Sequence, residues 1–404
     1  MKKIVILMFL LFALIGCQSE VSKSIDTYAE WDDVISDGSK KEVTILMWGG
    51  NESINQYMDG FVSDSLNEKY GITLQRVPMN APEYLAKLIN EKKGGVEVGT
   101  ADLLWINAEN FRTAKEGQLL DGPFTSLLPN LNTFYDNSAS DLNYDSGIEI
   151  EGYEGIWGRA QLVFSYDEIS LEAPKSYQEL LDYAKSNPGR ITYPRLPDDF
   201  VGVAFVRNAY YELTGESDVF QTDMSKEAFE ELSEPVMAYF KTLSSYLWNE
   251  GETYPATQAQ LDELFRNGEI DLTMGFEIGK TAGLVASGVY PETVSTFVFD
   301  TGTIGNSHYL AIPYNAPEKA AALLVMDFLQ SPEAQIEKMK SDVWGDMPAF
   351  DVDKMDEKML SILKTIEGKP GALSLDELTQ KRNPEMKAQY IEWIKELWIE
   401  NIGE

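Results

Sequence analysis

The sequence predicts an α/β protein built as two lobes, and three observations lead there. Between Val43 and Phe124, strand-like apolar runs alternate three times with amphipathic helical segments, the pattern of a parallel sheet with right-handed crossovers. The 404 residues exceed what one hydrophobic core normally serves. After an irregular stretch, Gly155 to Tyr166 resumes as one extended run, read as a strand crossing from the first lobe into the second.

The chain opens with Lys2 and Lys3, a twelve-residue apolar run from Ile4 to Ile15, and then Gly16-Cys17. A positive start and an apolar run too short to span a bilayer fit an export signal over residues 1–16. Leu14-Ile15-Gly16-Cys17 resembles the lipobox of bacterial lipoproteins. That resemblance implies cleavage before Cys17, lipidation of its sulfur and acylation of the new amino group. More than one acyl chain gives stable anchoring. Cys17 is the sole cysteine, so no disulfide framework can form. Residues 17–41 read as the lipid anchor and a polar tether, because Gln18 to Lys41 shows no sustained period.

Val43 to Trp48 is the first predicted strand, ending in Gly49-Gly50-Asn51, and a helix follows to Lys69 with Gly71 as its stop. Ile72 to Met79 is the second strand and Ala81 to Lys93 the second helix. Ala101 to Trp105 is a short apolar run, Asp102 excepted, read as a strand buried on both faces. It breaks at Asn107, and Ala108 opens the third helix. A strand end turning into a helix N-terminus is where open α/β sheets place ligands. Asp121 to Gly152 is irregular. Beyond the crossing run, a helix ends at Ser186 before the turn Asn187-Pro188-Gly189, and a short strand, Arg190 to Tyr193, enters the rigid loop Pro194 to Phe200. Helices are expected from Val201 to Leu213, Lys226 to Trp248 and Thr257 to Asn267, with Gly268 stopping the last and a strand from Ile270 to Gly275. Thr296 to Phe299 and Tyr309 to Pro313 read as a strand pair joined by Thr301 to Ser307. A long apolar helix runs from Pro317 to Leu329, and the tail is mostly helical with a break at Gly368 to Gly371.

Composition excludes several functions. With 33 Lys+Arg against 66 Asp+Glu, a net charge of −33, no basic footprint exists for nucleic acid. His308 is the only histidine, so a Cys–His pair is excluded and the usual zinc site cannot be assembled. No G-x-x-x-x-G-K-[ST] loop is present. Paired carboxylates for glycoside hydrolysis remain open, although no spacing singles out two. His308 reads as a hydrogen-bonded structural residue. No metal and no cofactor is expected.

What remains is a pattern at segment ends. Trp48-Gly49-Gly50-Asn51, Trp105-Ile106-Asn107, Trp157-Gly158-Arg159 and Trp344-Gly345-Asp346 each set an indole beside small or polar residues. Aromatic walls with a few convergent polar groups suit a cleft for a small solute, and two of the four tryptophans are expected to pack lobe interiors instead. Glu109, Asp346 or Glu277 in the cleft would favour a cation. Arg159 or Arg195 pointing inward would favour an anion. The expected ligand-binding residues are Trp48, Gly50, Asn51, Asn107, Glu109, Trp157, Arg159, Tyr193, Arg195 and Phe276, with no catalytic residue.

The lipobox, the strand VTILMWGG, FRNGEIDLTMGF and the helix APEKAAALLVMDFLQSPEAQ together resemble the extracellular solute-binding lipoproteins of ABC importers. WGGNESINQY, DLLWINAENF, LLDGPF, LLPN, WGRAQLVFSYD and NPGRITYPRLPDDFVGVAF resemble the YnjB-like branch, in matching order from about Val43 to Gln335. Ile156 stands where that pattern has Pro, and Ala108 where it has Gly. The resemblance implies a two-lobed, type II periplasmic-binding-protein-like fold with hinge-linked lobes, residues 42–154 plus 276–330 forming lobe 1 and 155–275 plus 331–404 forming lobe 2. It implies a monomer, lipid-anchored on the extracytoplasmic face of the cell membrane, that docks onto an ABC permease with its ATPase. A ferric site is not expected, since Tyr210-Tyr211 falls in predicted helix. Two rivals stand beside this reading: an exported carboxylate-dependent hydrolase using Glu109 and Asp346, and a structural surface lipoprotein.

Overall fold

The computed structural model describes residues 23–216, 218–367 and 369–403. The expected signal peptide and the Cys17 lipid site lie outside them.

Strands β1 (Glu42–Met47), β2 (Thr73–Pro78) and β3 (Leu103–Ile106) are parallel, in the order β2-β1-β3. The connecting helices follow the local signals. Asn51 caps the first by accepting the Ser53 and Ile54 N–H groups, and Gly71, at φ +67°, closes its continuation to Tyr70. Ala81–Lys93 begins with Pro82 in its first turn and with Glu83 accepting the Asn80 N–H at 2.9 Å.

Short strands β4 (Leu120–Asp121), β5 (Tyr144–Asp145) and β6 (Ile148–Glu149) punctuate the irregular stretch. β7 (Gly155–Gln161) and β8 (Val163–Asp167) are separated by Leu162 alone, yet they belong to different sheets. β8 is the middle of an antiparallel sheet with β9 (Leu272–Gly275) and β10 (Val294–Phe297). The chain returns through β11 (Thr303–Pro313), which pairs antiparallel with β3, β4 and β7 and parallel with β12 (Arg382–Asn383). The expected hairpin between 296–299 and 309–313 is therefore absent. Both segments are strands, but β10 faces β8 while β11 spans the first sheet. Arg190 to Tyr193 is not a strand either; its Ile191 and Tyr193 side chains are buried without sheet pairing.

Two hydrophobic cores result. The first takes in Ile25 to Trp157 and Tyr309 to Leu378, and the second takes most of Ala160 to Ile304 together with Met386 to Trp398. This differs from the expected lobe limits at three places, the first being Ile156 and Trp157, which lie in the first core and not at the start of lobe 2. Residues 276–304 pack mainly with the second core, and 331–378 with the first. The reason is that β10 is held by β8, whereas the helix Pro332–Met339 stays against the first sheet, with Gln335 donating to the Trp157 carbonyl. The expected tether is also partly folded. Trp31–Gly38 is a helix whose Val34 is fully buried, and Gly38 sits so close to the helix Lys319–Leu329 that a Cβ would land 2.7 Å from the Ala320 carbonyl carbon.

Candidate functional site

The chain passes between the two cores along β7–β8, along β10–β11 and after β12, so the seam is built on the paired strands β7 and β11. Their register sets Arg159 opposite Ser307 and Gly158 opposite His308. Side chains alternate across a strand, so the pair presents two different faces, and a bulge that leaves Trp157 without a partner on β11 turns its indole to the His308 side, away from Arg159.

On one face the aromatic residues gather. Trp105 meets Trp157 edge-on at 5.2 Å and His308 at 5.1 Å, and Trp344 stacks on His308 at 5.8 Å. Beneath them Lys338 and Asp346 form a fully buried ion pair at 2.5 Å, with His308 Nε2 3.3 Å from the other Asp346 oxygen. Burial acts to raise the Asp346 carboxyl, but Lys338 and His308 outweigh it and hold it below the ordinary range. Gly158 admits this cluster, since a Cβ there would fall 2.6 Å from Lys338 Nζ.

On the other face Arg159 grips Asp141 with Nε and Nη2, at 2.7 and 2.9 Å. Ser307 donates to the same carboxylate, and Arg382 stands 3.8 Å away. Burial would raise Asp141, but the two guanidiniums prevail and hold it far below the carboxylate range. These residues border a cavity of about 710 Å³ that Tyr144, Asp145, Tyr309 and Glu385 also line. Asp145 accepts the Ala108 N–H, and burial still pushes its carboxyl up to about 7.

The two cores touch directly at the seam. Asn51 Nδ2 lies 3.4 Å from Glu277 Oε1, and the Gly279 N–H donates to the Gly345 carbonyl at 2.9 Å. Glu277 also accepts from Gln258.

The expected site residues divide. Trp48 is 46% exposed at the end of β1, folded over Gly50, where a Cβ would lie 2.3 Å from the indole. Asn51 is at the seam as described. Asn107 precedes the helix Ala108–Glu116 without making a capping bond, and Glu109 is half-buried in its first turn. Phe276 packs on Phe200 at 5.0 Å. Arg159 lines the cavity but is occupied by Asp141. Three do not point into a cleft. Trp157 is 0% exposed between Trp105 and Trp344, and Tyr193 is 1% exposed among Phe205, Phe240, Tyr254 and Trp398. Arg195 is exposed and paired with Asp198 at 2.6 Å. Among the four tryptophans of the segment-end pattern, Trp157 and Trp344 are buried, Trp105 is half-buried and Trp48 is exposed. Sequence reasoning missed Asp141, Arg207, Lys338, Arg382 and Glu385. Arg207 and Lys338 carried a signal, each being a cation in a helix otherwise turned wholly or largely inward.

Residues 62–356 match the family model described as bacterial extracellular solute-binding protein. The chain belongs to that family. Protein YnjB of Escherichia coli (strain K12) is 35% identical over 336 residues, covering 82% of this chain and 86% of the relative. Among solved structures, an ABC transporter protein from Clostridium perfringens is similar with a TM-score of 0.62 at 17% identity, covering 89% of this chain and 98% of its own. The periplasmic binding protein AfuA of Actinobacillus pleuropneumoniae, with fructose-6-phosphate bound, is similar at a TM-score of 0.58 and 16% identity, over 90% and 99% of the two chains. The fold of this solute-binding protein is thus the two-lobed periplasmic-binding-protein type. Its role is the family's: it captures a solute for an ABC importer and delivers it to the permease. Family membership also puts it outside the cytoplasm, and no described helix is long and apolar enough to cross a membrane.

Proposed function

We propose that this solute-binding protein takes its passenger at the seam between the two cores, closes on it by hinge movement and releases it chemically unchanged. The observation that carries the reading is the pair of contacts across the seam, Asn51 with Glu277 and Gly279 with Gly345. Contacts of this kind exist only when the halves are together, and a ligand touching both halves shifts the equilibrium by what it gains in that state alone. Trp48, Asn51, Asn107, Glu109 and Phe276 are the side chains we assign to the solute surface. Lipidation at Cys17 would hold the protein, as a monomer, on the extracytoplasmic face of the membrane.

The hydrolase rival is weakened by the state of Asp346, which is closed inside an ion pair and so ill placed to move protons. Native mass spectrometry of freshly purified protein, followed by tryptophan fluorescence titration with metabolites, tests the reading. A retained mass and a saturable signal without product are expected. Turnover of the bound molecule favours the hydrolase, and silence throughout favours the structural rival. A sugar phosphate, the class seen in AfuA, should be among the solutes tried.

A further inference from the structure

Arg207 lies on the helix Phe200–Leu213 of the second core and is 1% exposed. Its Nη1 donates to Glu385, whose other oxygen accepts from Asn306 on the crossing strand β11. Its guanidinium rests on the Phe200 ring, 5.5 Å from the centroid. Nε and Nη2, the two nitrogens of one fork edge, have no hydrogen-bond partner.

Three other described arginines close this edge on a carboxylate, whereas Arg382 leaves only its Nε unmet. Arg76 closes the same edge on Asp59, at 2.8 and 2.5 Å, and Arg159 closes it on Asp141. Arg190 does the same with Asp271. Guanidinium edges match two-oxygen anions, and a buried charged donor left unmet is costly. Arg159, Arg207 and Arg382 are linked through Asp141, Glu385, Asn306 and Ser307, three cations against two carboxylates within the linked set.

We infer that Arg207 is the solute clamp of the second lobe, taking a carboxylate or phosphate on its Nε/Nη2 edge beside the Phe200–Phe276 pair, so that the transported solute is an anion. Phe200 is 52% exposed and offers an apolar wall for the remainder of the molecule. Glu385 holds the guanidinium through Nη1, on the side away from that edge. This rests on the solute-receptor reading above and adds the chemical class of the solute.

The test is calorimetric titration of the full-length protein with matched probes: succinate, glutamate, glycerol 3-phosphate and fructose 6-phosphate, each against its amide or unphosphorylated counterpart, with putrescine and spermidine as cations. At least one acid should bind and its neutral counterpart should bind about 100-fold more weakly or not at all. Arg207→Lys keeps a cation beside Glu385 but has no fork, and should lose about 100-fold for that acid while its thermal midpoint stays within a few degrees. Arg207→Ala is the harsher variant and is interpreted only if its circular dichroism matches the parent. Binding of a neutral or cationic probe, or unchanged acid affinity in Arg207→Lys, overturns the clamp and leaves the receptor reading standing. Silence with every probe counts against both.

Discussion

Asn51 reaches Glu277 across the seam, amide to carboxylate at 3.4 Å. While the nitrogen of that carboxamide faces Glu277, its oxygen caps the helix that follows β1, so one side chain ties the start of a lobe-1 helix to the segment just past β9 in the other sheet.

Removing that tie should act on closure more than on folding. Glu277→Ala is expected to weaken solute binding by about 3- to 10-fold, the worth of one half-exposed hydrogen bond to a charged group. The thermal midpoint should hardly move. Small-angle scattering of the unliganded variant should show a larger radius of gyration than the parent; an unchanged radius and affinity would mean the contact plays no part in closing.

The Lys338–Asp346 pair behaves differently because both partners are buried. Lys338→Met leaves an uncompensated carboxylate inside the first core and should cost about 3–5 kcal/mol. Chemical denaturation monitored at 222 nm reads this directly. Lys338→Met combined with Asp346→Leu should recover much of the loss; a double variant no better than the single would show that the charges do more than cancel each other.

Asp145 gives a dependence on pH whose sign follows from its raised value of about 7. The folded state holds the proton more tightly than the unfolded chain, with its ordinary carboxyl near 4. Its contribution to stability is therefore lost as pH rises from about 4 through 7, by roughly 4 kcal/mol at most. Asp145→Asn cannot ionise and still offers an oxygen to the Ala108 N–H. Its melting temperature relative to the parent should rise between pH 5 and pH 8; a difference that stays flat would show that Asp145 is charged throughout.

Trp157 and Trp48 should separate packing from recognition. Trp157→Ala opens a void between Trp105, Trp344 and His308 and should destabilise the protein by about 3–5 kcal/mol. Trp48→Ala, at an exposed position, should leave the melting curve alone and lower solute affinity. The opposite assignment in differential scanning fluorimetry and titration would place the recognition face elsewhere.

Ala108 adopts φ +50°, a left-handed conformation that costs a residue with a Cβ about 1–2 kcal/mol. Ala108→Gly should raise the midpoint by a degree or two, against the usual penalty for glycine in a helix. A lower midpoint would show that the Asp145 carboxylate already offsets the strain.

Much of the first lobe was legible in the residues alone. Helix Ala81–Lys93 has its stop and start written in Gly94 and in Asn80-Ala81-Pro82-Glu83, and β1 and β2 follow local apolar runs. The departure at Ala108 came from the family resemblance alone, whose pattern has Gly there, and the φ of +50° supplies its physical reason. Long-range choices were not legible. Nothing local tells that β10 would pair with β8 while β11 leaves for the other sheet, since Thr296 to Phe299 and Tyr309 to Pro313 are both short, mostly apolar runs that fit either sheet. The site was read through its tryptophans, and an indole suits a core as well as a cleft; Trp157 went to the core. Arg207 was hidden for the opposite reason. It sits in the apolar helix FVGVAFVRNAYY, where Arg207 and Asn208 interrupt a run that otherwise reads as pure core.

The helix Trp31–Gly38 docks on Lys319–Leu329 through a glycine contact, and Ile25 is already fully buried. Under lipidation at Cys17, only eight peptide steps separate the acylated residue from the folded body, a leash of at most about 28 Å when fully drawn out. So short a leash would keep the receptor grazing the bilayer surface, within reach of a permease mouth and unable to patrol the space beyond it.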